Sequence, residues 1–139
     1  MVAIAPIAPH TARMHFAYIK VPHHSLPGQA FDALHYALEQ ELTAAGVGEL
    51  ISWGTSLPSA RARESDPGSF HRVDVELRQL ATGLDLLREA LLKVGVPHGT
   101  ELHYTVQGAT RQQTLTEGGW GAEVQSTGAP RPRSNGSKR

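Results

Sequence analysis

Cysteine is absent from the 139 residues. That excludes a disulfide framework, a zinc–thiolate centre and a thiol nucleophile, and it suits a reducing compartment, so the expected location is the cytoplasm. Neither sign of charge dominates, with 13 basic and 13 acidic side chains. Such a balance gives a polyanion no general attraction, and nucleic acid is not an expected partner. Apolar runs long enough to cross a bilayer as a helix are missing, so no membrane partner is expected. The first fourteen residues, MVAIAPIAPHTARM, lack a charged start, and Pro6 and Pro9 interrupt their apolar stretch. They are read as a disordered leader (1–14) rather than a signal peptide, with Met14 a natural start. Hydrophobic residues amount to only 40%, slightly lean for a globular chain, and 139 residues suffice for one domain with one core but not for two.

What is present alternates between strand and helix periods. In 15–21, Ala17, Ile19 and Val21 share one face while Phe16, Tyr18 and Lys20 share the other. From about Gln29 the apolar step becomes helical through Phe31, Leu34, Leu38 and Leu42, and Gly46 stands where a left-handed cap is wanted. Residues 49–57 form a second strand in which Gly54 weakens the pairing or marks a bulge. A Pro/Ser/Arg-rich loop follows over 58–69. Residues 70–77 alternate cleanly, Val73, Val75 and Leu77 against Arg72, Asp74 and Glu76. A second helix carries Leu80, Leu84, Leu87, Leu91 and Val94 to Gly95, and a fourth strand spans 100–106.

The order β-α-β-β-α-β predicts an α+β, ferredoxin-like βαββαβ sandwich: a four-stranded antiparallel sheet with two helices on one face, over residues 15–106. The expected strand order is fourth–first–third–second. Beyond that, 107–139 is read as a C-terminal extension, largely disordered and basic at its end.

The segments Gly46-Val-Gly-Glu-Leu50, Arg72-Val-Asp-Val-Glu-Leu77, Gly83-Leu-Asp-Leu-Leu-Arg88 and Pro97-His-Gly-Thr100 resemble those of a loose set of small uncharacterised bacterial proteins with a ferredoxin-like domain. The resemblance spans roughly 15–106. Its motifs are turns, caps and core positions, so it implies a fold and no activity.

Eight histidines raise the question of a metal, but none falls in an HxH or HExxH pattern. His23 and His24 are adjacent and diverge in an extended chain, and His35 is read as a lone packed or solvated residue. No metal site and no cofactor are expected. Gly-x-Ser-x-Gly, Gly-rich phosphate loops and Walker motifs are absent. The candidate binding surface is the uncovered face of the sheet: Phe16, Tyr18, Lys20, Arg72, Asp74, Glu76 and His103, with Glu101 beside them. The acidic residues there argue against base stacking on the RNA-recognition pattern. Two aromatics ringed by charges of both signs favour a small non-catalytic domain that binds a protein partner or a second copy of itself as a homodimer. Pairs of Lys20 with Asp74 and Glu76 would solubilise the face on the simplest view. The alternative is an enzyme that uses His103 with Tyr18 or Asp74.

Overall fold

The computed structural model describes residues 14–22, 28–57, 59, 61–63 and 68–126. Most of the leader, His10, His23, His24 and the basic tail lie outside the described residues. The core elements are β1 (His15–Pro22), α1 (Gly28–Ala45), β2 (Gly48–Ser56), β3 (Phe70–Leu77), α2 (Leu80–Val94) and β4 (Glu101–Val106). β1 pairs antiparallel with both β3 and β4, and β2 pairs antiparallel with β3. The resulting order, β2-β3-β1-β4, is the ferredoxin-like order, and both helices cover the same face.

The strand alternation decides which side is covered. Ala17, Ile19, Val21, Val73, Val75 and Leu77 form one cluster with Phe31, Leu34, Leu38 and Leu42 of α1 and Leu84, Leu87 and Leu91 of α2. The i, i+3, i+4 spacing brings each helix's leucines onto the stripe that faces the sheet. α2 ends at Gly95, whose φ of 85° is left-handed; its N–H is donated to the carbonyls of Leu91 and Leu92. That satisfies groups the last turn leaves unpaired.

The chain remains in the sheet after residue 106. β5 (Ala109–Thr116) pairs along β4, and β6 (Gly119–Trp120) and β7 (Val124–Gln125) both pair with β5. Assigning all of 107–139 to an extension outside the domain therefore stops the sheet too early. The physical reason is the turn at Gln107–Gly108, where both residues have positive φ, 51° and 83°. Positive φ at both central positions is the geometry that folds two strands into a tight hairpin. Trp120 also takes a definite place. Its indole Nε1 donates to the Arg88 carbonyl of α2 at 3.4 Å, and Leu115 belongs to the helix-side core. These side chains cover α2 and leave the opposite face to others.

The bulge in β2 falls at Ile51 rather than at Gly54. Leu50 is opposite Val75 and Ser52 is opposite Asp74, so Ile51 is the extra residue, while Gly54 pairs in register with Arg72. One inserted residue reverses the facing of everything after it. Ser52 is turned to the uncovered face and Trp53 to the helix side.

Gly48, at the start of β2, has a definite packing reason. A Cβ there would collide with the Glu76 carbonyl and press on Leu77. Backbone cannot give way as a side-chain tip can, so Gly48→Ala is expected to cost about 1–3 kcal/mol. The check is a shift of the urea midpoint at unchanged slope.

Candidate functional site

The site is on the face away from the helices, and cross-strand register assembles it. Tyr18 of β1 lies directly between Asp74 of β3 and His103 of β4. The Tyr18 and His103 rings stack, 4.5 Å between centroids and 5° from parallel. The Arg72 guanidinium carbon is 3.9 Å from the Tyr18 ring centroid, a cation–π contact. Arg72 is 4% exposed and holds Asp74 through an Nε–Oδ1 bond of 2.7 Å. The Ser52 hydroxyl, turned to this face by the bulge, donates to the same Asp74 at 3.3 Å.

His103 is the most enclosed member, 1% exposed. Its Nε2 lies 2.8 Å from Glu101 Oε1, and its Nδ1 lies 2.7 Å from Ser126 Oγ. Glu101 and His103 are two residues apart on one strand, so both project to the same side. Ser126 comes from the far end of the chain. Its backbone N–H bonds the Thr110 carbonyl, which continues the β7–β5 pairing and aims the hydroxyl at β4. Ser126 also lies beside the Tyr18 phenol, close enough to act on its proton equilibrium. A hydrogen-bonded chain Glu101–His103–Ser126 results, with Tyr18 at its far end.

The two ends of this chain are pushed in opposite directions. The His103 hydrogen bond holds the Glu101 carboxyl below its ordinary range; burial opposes this and Lys20, 3.7 Å away, assists it. Burial raises the Tyr18 phenol above its ordinary value, with Arg72 and Ser126 acting against the rise. At neutral pH Glu101 is a carboxylate and Tyr18 a phenol. A carboxylate can only accept, so in neutral His103 the proton belongs on Nε2 and the Nδ1 lone pair faces Ser126.

That assignment carries a pH dependence. The folded Glu101 value lies below its unfolded one, ordinarily 4.5. Ionised Glu101 therefore favours the folded state fully above about pH 4.5, and this support is lost as pH falls through the folded value. Thermal melts over acid pH should show wild type losing stability faster than Glu101→Gln, which lacks the titrating group. Parallel curves would remove Glu101 from the account.

Of the seven residues picked from sequence, Tyr18, Lys20, Arg72, Asp74 and His103 come together. Phe16 is at the rim, 6.4 Å from the Tyr18 ring and 40% exposed. Glu76 is paired opposite Phe16, one step beyond the network. Lys20 reaches Glu101 rather than Asp74 or Glu76, because Glu101 is directly opposite it on β4 while β3 sets Arg72 opposite it. Asp74 is likewise committed away from His103, whose acidic partner is Glu101. Ser126 is the residue that sequence reasoning missed. The one signal available was Gln107-Gly108, a two-residue turn between alternating segments.

Among the described residues, no group of three or more His, Cys, Asp or Glu side chains could hold a metal ion, and no helix is long and apolar enough to cross a membrane. No protein-family model matches the chain, and neither the curated proteins nor the solved structures include one significantly similar to it.

Proposed function

We propose that this domain is an acyl-transfer enzyme of the serine type, with Ser126 as nucleophile, His103 as general base and Glu101 as the group that orients the imidazole. The observation that carries this reading is the pair of bonds at His103, 2.8 Å to Glu101 and 2.7 Å to Ser126. A hydroxyl is a weak nucleophile until a base within hydrogen-bond reach takes its proton, and the base must itself be held in one tautomer. In this scheme the Ser126 proton passes to His103 Nδ1 as Oγ bonds the acyl carbon. The Tyr18 hydroxyl, kept protonated, donates to the oxyanion that develops. His103 then returns the proton to the leaving group, and water repeats the sequence to free the acyl group. Ionised Glu101 is the acceptor that fixes the imidazole, and protonated Tyr18 keeps the hydrogen its role needs.

The test is an active-site phosphonylating reagent. A fluorophosphonate should form one adduct, located by mass spectrometry on the Ser126 peptide and absent in Ser126→Ala. Failure of wild type to form an adduct at Ser126 would defeat the proposal. Exposed Phe16 beside Tyr18 favours a second reading, a docking surface for a protein. That reading predicts no adduct, together with a partner or dimer contact that Phe16→Ser weakens.

A further inference from the structure

A second cluster lies on the opposite face, apart from the proposed catalytic chain. His35 of α1 and His71 of β3 are 36 residues apart in sequence, yet their Nε2 atoms are 2.7 Å from each other. They are 8% and 5% exposed. Nearly every other helix-facing position of β3 is aliphatic (Val73, Val75 and Leu77). Each imidazole is held flat by an aromatic ring: Phe31 stacks on His71 at 4.1 Å, and Trp53 stacks on His35 at 4.1 Å. The Ile51 bulge is what brings Trp53 to this side. Trp53 is itself 54% exposed, so the imidazole pair is one ring away from solvent.

We propose that His35 and His71 are the protein ligands of a divalent first-row transition metal ion, Zn2+ or Cu2+. Imidazole nitrogen suits these ions, and two Nε2 atoms brought together from different elements can serve as a ligand pair once the proton they share is gone. Two nitrogens bound at about 2.0–2.1 Å in a tetrahedral site lie about 3.3 Å apart. Rings now sharing a hydrogen bond at 2.7 Å would thus part by roughly 0.6 Å and turn so that both nitrogens face the ion. The shared proton leaves Nε2, for Nδ1 of its own ring or for solvent, as the ion enters. No third imidazole or carboxylate joins the pair among the described residues. Two positions of a tetrahedral site therefore remain for water or another donor.

Trp53 supplies the readout, because Cu2+ seated against its stacking partner quenches its emission. Cu2+ titration of the full chain should quench to saturation at one equivalent, and His35→Gln and His71→Gln should each weaken that binding at least about tenfold, one ligand's worth of roughly 1.4 kcal/mol. Zn2+ titration of wild type, followed by histidine ring nitrogen resonances, decides the matter without substitution: the His35 and His71 Nε2 signals should move together. Quenching that persists in either folded variant, or Nε2 signals of His35 and His71 that stay fixed under excess Zn2+, would overturn the site.

Discussion

His103→Gln should slow modification of Ser126 by about 100- to 10,000-fold, the usual contribution of a positioned general base. Glutamine retains a polar group near Glu101 and Ser126 and takes no proton, so base strength is lost while most of the packing is kept. Tyr18→Phe should have a smaller effect on turnover of an activated ester, about 100-fold, if its hydroxyl serves the oxyanion. It leaves the ring to stack on His103, which lies 4.5 Å away. The pair of variants separates the base from the oxyanion donor. A His103→Gln protein that is labelled at the wild-type rate would show that His103 is not the base that activates Ser126.

The largest effect on stability is expected at Leu87. It is completely buried in the middle of the α2 stripe, within the cluster that includes Ile19, Val73 and Val75. Leu87→Ala removes buried methyl groups and leaves a cavity that close-packed strands cannot fill, at a cost of about 2–5 kcal/mol. Leu92 lies on the same helix and is 53% exposed, so Leu92→Ala should change stability by no more than about 0.5 kcal/mol. Chemical denaturation of both variants provides the comparison. Equal midpoints would mean that the helix is rotated from the phase described above.

The contrast between these two leucines was legible in the sequence, because helical and strand periods are set by backbone geometry and by which face is covered. The same holds for Ala17, Ile19 and Val21 against Phe16, Tyr18 and Lys20. Parity also placed Tyr18 and His103 on one face. It could not choose partners across strands. The partner of Lys20 is set by strand order, which puts Glu101 of β4 directly opposite it and Arg72 of β3 on its other side. Nor could it find Ser126, whose position depends on a Gln-Gly hairpin turn and on two very short strands beyond it. The Ile51 bulge was invisible for a related reason. A bulge changes register without changing composition, and glycine at 54 was the more obvious candidate. The imidazole pair at His35 and His71 joins a helix to a strand, so no short spacing in the sequence announces it.

The proposed chemistry at Ser126 depends most on the direction of the proton at His103. The direct measurement is the ring nitrogen spectrum of that histidine in wild type at neutral pH. The predicted result is a protonated Nε2 bonded to Glu101 and a bare Nδ1 facing Ser126, with Glu101→Gln weakening that preference. A neutral ring protonated at Nδ1, with Nε2 bare, would leave Ser126 without a base and contradict the proposed chemistry.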